Sequence, residues 1–197
     1  MPSLPMTEAD RPAAVQILLV SAQAAPNLLP ALDPALKPAE AVLLVTHAME
    51  SRANALQPVL QEAGVRVSRV ALANEHDYNA LEATLMELAA VRDGQAIALN
   101  LTGGTKLMAL AAQSIALAAG WSVFYVDADT DEVIWLGKRA GQRQRLTEQL
   151  RLRHYLMGYG FESRRDREEP RLAARRQALI ATLLAQQAED RQSLSVA

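Results

Sequence analysis

Short runs of Val, Ile and Leu alternate with segments of helical spacing along the first two thirds of the chain, and this alternation limits the possible folds most strongly. Strands that are apolar throughout, with helices between them, are typical of a parallel sheet covered by helices on both faces. The sequence therefore predicts an α/β fold with a Rossmann-like, mostly parallel sheet. The predicted parallel strands are 15–20, 41–46, 65–72, 96–101 and 121–127.

The segments between these strands predict the helices. Residues 50–63 and 77–90 carry apolar residues three and four apart, and Asp77 is placed to cap the second of these helices. The first crossover contains Pro30 and Pro34, and each proline removes a helical hydrogen bond. We therefore expect the first helix to be short, kinked or partly irregular.

The sheet is predicted to end in a hairpin, and the charge of the chain changes sign after it. EVIWL (132–136) reads as a sixth strand, and the short turn before it requires antiparallel pairing. Up to Gly137 there are 7 Lys and Arg against 15 Asp and Glu, a net charge of −8. From Lys138 onward there are 13 against 7, a net charge of +6. The residues from Lys138 onward therefore differ in charge from the predicted sheet and its helices.

Two further helical patterns, 146–160 and 171–190, lie in this basic part and are separated by a charged, turn-prone stretch. Acidic residues are interspersed among its arginines, which favours a solvated helical linker over a nucleic-acid-binding surface. We predict one domain at 1–140 and a helical linker at 141–197.

Composition excludes several classes of site. The chain has no cysteine, so disulfides, thiolate metal sites and cysteine nucleophiles are not available. The three histidines share no metal-ligand spacing. No secretory signal is recognisable, and no apolar run reaches the ~20 residues of a membrane span. We expect a cytoplasmic protein and assign no metal site and no catalytic residue.

Two polar loops are predicted to meet at one edge of the sheet. In open parallel sheets, ligands bind beyond the carboxyl ends of the strands, where the strand order reverses. If the first strand pairs with the fourth, SAQAAPN after the first strand and TGGTK after the fourth flank one crevice. The first loop offers Ser21, Gln23 and Asn27 to a ligand.

The TGGTK loop has the chemistry of a phosphate site. Gly103 and Gly104 let a ligand approach the main chain, and a helix that begins near Thr105 offers unpaired amides and a positive dipole end. Lys106 adds a charge, and Thr102 and Thr105 add hydroxyl groups. The loop has neither the Walker spacing nor the dinucleotide fingerprint. The alternative is that the glycines only turn the chain, Thr105 caps the helix and Lys106 faces water.

The same residues resemble a known family. NLTGGTKLMALAA, with LVSAQAAPN after the first strand, LLVTHAMESRANAL around the second and FYVDADTDEVIWL near the end of the sheet, resembles the CRISPR-associated Rossmann fold (CARF) sensor domain over residues ~15–137. The sequence is most similar to the subfamily in nucleases activated by cyclic oligoadenylate. The resemblance implies a homodimer that binds cyclic tetra-adenylate across its two-fold axis. It points to Ser21, Gln23 and residues 102–106 among the ligand residues named above and adds Thr46, Met49 and Asn100.

The resemblance also gives the expected function. In the nuclease members a winged-helix-like connector and a metal-dependent nuclease domain follow the sensor, and residues 145–162 are similar to the start of that connector. We expect a cyclic tetra-adenylate sensor of type III CRISPR antiviral defence that controls an attached nuclease, without a membrane partner and touching nucleic acid only through that effector. The sequence is then part of a longer protein, which we favour, or a stand-alone member. A ring nuclease and a CARF-type transcription regulator stay open as alternatives.

Overall fold

The computed structural model describes residues 13–147 and 150–161, with 175–178 and 180–181. Its strands are β1 (Val15–Leu19), β2 (Glu40–Thr46), β3 (Arg66–Leu72), β4 (Ile97–Asn100), β5 (Ser122–Asp127), β6 (Glu132–Leu136) and β7 (Arg143–Arg145). Its α-helices are α1 (Ala25–Leu32), α2 (Glu50–Glu62), α3 (Tyr78–Val91), α4 (Lys106–Ala118) and α5 (Leu152–Gly158). None of the described helices is both long and apolar enough to span a bilayer.

The strands form one sheet in the order β3-β2-β1-β4-β5-β6-β7. Strands β1 to β5 are parallel, and β6 and β7 are antiparallel to their neighbours, which confirms the predicted fold class and hairpin. Because β1 pairs with both β2 and β4, the strand order reverses at β1, as the predicted crevice requires. Strand β7 is an addition to the prediction, since its sequence RQR has no apolar alternation.

The helices predicted at 50–63 and 77–90 are found as α2 and α3, and α1 compensates for the hydrogen bond that Pro30 removes. Asp77 caps α3, its Oδ1 accepting a hydrogen bond from the amide of Ala80 at 3.1 Å. Helix α1 is short, as predicted, and contains Pro30. Because proline has no N–H, the carbonyl of Pro26, four residues earlier, lacks its helical donor. The Nδ2 of Asn100 donates to that carbonyl at 2.9 Å and replaces the missing bond.

Two large buried clusters cover the two faces of the sheet. On one face α3 and α4 pack against it, with Leu85, Ala111 and Val123 among the buried residues. On the other face α1 and α2 contribute Leu28 and Leu56. Both faces of the central strands are therefore buried, which is why those strands are apolar throughout.

The chain divides into two compact units, Met1–Glu162 and Ser163–Ala197. In the first, β7 and α5 lie beyond the predicted start of the linker after residue 140, and that boundary stays a prediction. Helix α5 occupies only part of the predicted 146–160 helix, because Thr147 is not helical and its amide and hydroxyl donate to Oδ2 of Asp33 at 2.7 and 3.0 Å. In the second unit, 175–178 and 180–181 are helical, and the rest of the predicted 171–190 helix lies outside the described residues.

Candidate ligand site at the carboxyl ends of β1 and β4

The loops after β1 and β4 are in contact. Strands β1 and β4 are parallel neighbours, with Leu18 opposite Asn100, so both loops leave the same edge of the sheet. Gly103 is buried, and a Cβ atom there would overlap the carbonyl oxygen of Leu19 and lie 3.3 Å from Oγ of Ser21. The β4–α4 loop thus rests directly on the β1–α1 loop.

Gly103 and Gly104 allow this close contact between the two loops. Gly104 has a φ of 75°, in the left-handed region, and a Cβ there would lie 3.1 Å from side-chain atoms of both Leu19 and Met108. The sequence interpretation has a ligand approaching the bare main chain at these glycines. At Gly103 the structure places the carbonyl group of Leu19 beside the main chain instead.

Asn100 and Thr102 form a hydrogen-bonded brace under the β4–α4 loop. Oδ1 of Asn100, which is fully buried, accepts hydrogen bonds from the amide and the hydroxyl of Thr102 at 3.0 and 2.6 Å. Oγ1 of Thr102 in turn accepts a hydrogen bond from the amide of Val126 at 2.7 Å. A hydroxyl has one hydrogen, and that of Thr102 is donated to Asn100. Their direct ligand contacts stay predictions, whereas the geometry gives both residues a role in shaping the loop.

The first loop separates into a buried and an exposed part. Asn27 lies within α1 and is 1% exposed, and its Nδ2 donates to the carbonyl of Leu19 at 3.1 Å, the group on which Gly103 rests. Ser21 and Gln23 lie nearer the surface, and Oγ of Ser21 donates weakly to the carbonyl of Gln23 at 3.4 Å. Ser21 and Gln23 can therefore turn to a ligand, while Asn27 supports the loop from below.

The start of α4 provides the positive end of the site. Thr105 is the N-cap, its Oγ1 accepting from the amide of Met108 at 3.2 Å, as the alternative interpretation of the loop predicts. The amides of Lys106 and Leu107 precede the first internal hydrogen bonds of the helix, and the helix dipole places partial positive charge there. The side chain of Lys106 is exposed, and no salt bridge joins it to a described residue. The cap therefore leaves these two amides and the ammonium group of Lys106 available to an anion.

Thr46 and Met49 lie at the same edge of the sheet, because β2 is the parallel neighbour of β1 on its other side. Thr46 ends β2 and is buried, and Met49 is partly buried against the cluster of α1 and α2. Their ligand contacts stay predictions.

The β1–α1 loop and the start of α4 present hydrogen-bond donors and the ammonium group of Lys106. Backbone amides, the Ser21 hydroxyl and Lys106 can together bind a phosphate. Among the described residues, no group of three or more His, Asp or Glu side chains is placed to hold a metal ion.

Comparison with known families identifies the fold. The family model of the Card1 CARF domain matches residues 15–155. This chain belongs to the Card1 CARF family. The resemblance stated from the sequence is confirmed, and no curated protein is a significant match.

Three solved structures share the fold of this chain. Can2 from Sulfobacillus thermosulfidooxidans, solved in complex with cyclic tetra-adenylate, has a TM-score of 0.68 at 25% identity and matches 75% of this chain and 41% of its own. A type III CRISPR defence DNA nuclease activated by cyclic oligoadenylate has a TM-score of 0.62 at 28% identity, over 80% of this chain and 24% of its own. Protein VC1899 from Vibrio cholerae shares the fold at 17% identity, with a TM-score of 0.69 over 74% of this chain and 39% of its own. The chain spans less than half the length of each.

Two backbone groups that support the site of this CARF domain were not predicted from the sequence. The carbonyl of Leu19 seats the glycine loop and accepts from Asn27, and the amide of Val126 fixes Thr102. One sequence signal indicates a related contact: Pro30 leaves the carbonyl of residue 26 without its helical donor, so another donor is expected to reach it.

Proposed function

We propose that this CARF domain senses cyclic oligoadenylate, with cyclic tetra-adenylate as its ring, in type III CRISPR antiviral defence. The observation that carries the proposal is the contact between the β4–α4 loop, which leads into Lys106, and the β1–α1 loop, which contains Ser21. This contact lies at the edge of the sheet where the strand order reverses. It joins a phosphate-binding helix start to a second polar loop. The likeness to Can2, whose structure contains this ligand, supports the choice of ring.

A few focused donors bind each phosphate. The body of the domain up to Gly137 has a net charge of −8, so a broad basic surface is not available. The amides of Lys106 and Leu107 and the Lys106 ammonium group act at short range on one phosphate. Ser21 and Gln23, on the loop below, hydrogen-bond to the adjoining ribose or base.

The ring is bound between two copies of the chain. Helix α4 carries an exposed apolar stripe at helical spacing: Leu107, Leu110 and Leu117, with Leu110 56% and Leu117 50% exposed. Tyr125, also exposed, lies on the same face of the sheet as α4. It shares that face with the buried Val123, because side chains alternate along a strand. We assign this surface to a second copy of the chain, since a symmetric ring offers each copy the same groups.

The position of Lys106 suits such a dimer. Lys106 directly precedes Leu107, at the amino-terminal end of the apolar stripe. A two-fold axis near that end brings the two Lys106 side chains and the two helix starts to one shared ring. One modest anion site per chain is then used twice.

An attached effector completes the proposal. The chain spans less than half the length of the proteins it resembles, one of which is a DNA nuclease activated by cyclic oligoadenylate. We propose that ligand binding changes the arrangement of this domain and thereby controls a nuclease in the same protein. Differential affinity of the ring for the active arrangement would drive the change.

Calorimetric titration of the chain with cyclic tetra-adenylate tests the proposal, with Lys106→Ala as the variant. A charge-assisted hydrogen bond contributes about 1.5–3 kcal/mol, so two lost lysine contacts per ring weaken binding by about 10²–10⁴-fold. The expected stoichiometry is one ring per two chains. Lys37→Ala is the matched control, because Lys37 is also exposed but precedes β2, at the opposite edge of the sheet.

Equal affinity of wild type and Lys106→Ala would contradict the proposed site, and no binding of any cyclic oligoadenylate would contradict the function. Analysis of the titrated ligand for linear products separates a sensor from a ring nuclease. A sensor leaves the ring intact.

A further inference from the structure

One arginine of α2 holds the carboxyl end of α5. Nη1 of Arg52 donates to the carbonyl oxygen of Gly158 at 2.6 Å, and its guanidinium carbon lies 4.4 Å from the centre of the Tyr159 ring. The last carbonyl groups of a helix lack internal donors, so a guanidinium group that reaches them is stabilising. Arg52 therefore fixes the position at which α5 ends.

Gly158 also packs closely on α1. A Cβ atom at this position would lie 2.8 Å from Cδ1 of Leu28 and 3.1 Å from Cβ of Ala24. Ala24 is the N-cap of α1, and Arg52 is the third residue of α2. The end of α5 thus rests on the beginnings of both helices.

Both helix beginnings follow loops that carry proposed ligand residues. Helix α1 begins two residues after Gln23, and α2 begins directly after Met49. Packed helices move as rigid units and transmit small shifts to their neighbours. A ligand that shifts either loop therefore acts on the surface that supports α5.

We propose that Arg52 is a positioning residue that couples the ligand loops to α5, so that ligand binding changes how firmly α5 is held. The inference rests on the proposed function, because it takes those loops to contact the ligand. Helix α5 and the residue after its turn present exposed apolar side chains: Leu152, Leu156 and Phe161. A change in the docking of α5 changes how this apolar surface is presented to the rest of the protein.

Amide hydrogen–deuterium exchange of residues 152–161 tests the coupling in the 197-residue chain, with and without cyclic tetra-adenylate, beside a calorimetric titration. Without ligand, Arg52→Ala is expected to speed exchange in this segment by about tenfold or more, because the end of α5 loses its donor. With ligand, the change in exchange seen in the wild type is expected to disappear in the variant. Its affinity is expected to stay within about threefold of wild type, because Arg52 does not belong to the anion site.

Two further variants serve as controls, and a third can replace Arg52→Ala. Arg153→Ala removes an exposed pair with Glu62, at 2.8 Å, between the same two helices, and is expected to keep the wild-type exchange and response. Tyr159→Phe keeps the ring under the guanidinium group and is expected to respond as wild type. If Arg52→Ala fails to fold, Arg52→Lys replaces it, since lysine keeps the charge but not the planar donor group; an intermediate response is expected.

The outcomes separate the two proposals. Unchanged exchange in ligand-free Arg52→Ala, or a wild-type ligand response in that variant, would overturn the coupling. So would a wild-type chain that binds the ring without any change in exchange at 152–161, although the proposed function would then stand. A wild-type chain that binds no ring in calorimetry ends both proposals.

Discussion

Gly103→Ala is the substitution that tests most directly how the site is built. Gly103 is buried, and an added Cβ would overlap the carbonyl oxygen of Leu19 and approach its carbonyl carbon to 3.1 Å. Gly103 does not have a positive φ, so backbone strain does not contribute. The whole effect of the substitution comes from the contact between the two loops.

The size of the effect follows from this contact. Non-bonded atoms are optimally about 3.5–4.0 Å apart, so the loops must separate by roughly 1 Å or more to accept the methyl group. Overpacking of this kind costs about 1–3 kcal/mol of unfolding free energy, which lowers the melting temperature by about 2–4 °C per kcal/mol in a chain of this length. The amides at the start of α4 move with the loop, and two weakened charge-assisted bonds reduce affinity about tenfold or more.

Thermal denaturation and calorimetric titration with cyclic tetra-adenylate measure the two effects. Gly94→Ala is the control, because Gly94 has a φ of 74° and open space around its Cβ position. The control is expected to lose about 1–2 kcal/mol through the left-handed backbone alone and to keep its ligand affinity. A Gly103→Ala protein with wild-type stability and affinity would refute the contact between the loops.

Two further predictions concern stability and assembly. Arg92 and Ser68 donate hydrogen bonds to Glu40, and the bond from Arg92 holds the pKa of Glu40 below its usual value of 4.5, although burial opposes this. A lowered folded-state pKa gives stability that is present above pH 4.5 and is lost as the pH falls through the folded-state pKa. Glu40→Gln is therefore expected to lower the unfolding free energy by about 1–3 kcal/mol at pH 7 and by progressively less below pH 4.5, as measured by urea denaturation. Leu110→Glu places a charge in the exposed stripe of α4 and is expected to yield a folded monomer by light scattering; an unchanged dimer would exclude that surface.

The sheet could be predicted from the sequence to the extent that burial determines residue type. The central strands β1, β2 and β4 are largely apolar because both of their faces are covered, and that pattern is visible without coordinates, whereas the edge strand β3 is largely exposed. Strand β7 could not be predicted, because it is an edge strand with polar side chains that is held by backbone pairing to β6. The salt bridge between Arg143 and Glu132, at 3.0 Å, depends on a register that the sequence does not show.

The site could be predicted only in part. The helix start at Lys106 and the need for glycines before it follow from local chemistry. The partners of Asn100 and Thr102 do not, because they lie 74 and 24 residues away in the sequence, at Pro26 and Val126. The sequence shows which polar residues lie at the edge of the sheet but not which of them hydrogen-bond to other groups of the protein.

That distinction gives a physical basis for the proposed binding of a polyanionic ring by an acidic domain with few donors. A loop braced from below by Asn100 and Thr102 and seated on Leu19 is already ordered, so little entropy is lost when a ligand fixes it, and each remaining donor acts at nearly full strength. Residues that hold the loop in place and residues that contact the ligand must then respond differently to substitution. Gly103→Ala changes stability and affinity together, whereas Lys106→Ala, at an exposed position, changes affinity alone. A stability loss in Lys106→Ala equal to that in Gly103→Ala would show that the two roles are not separate.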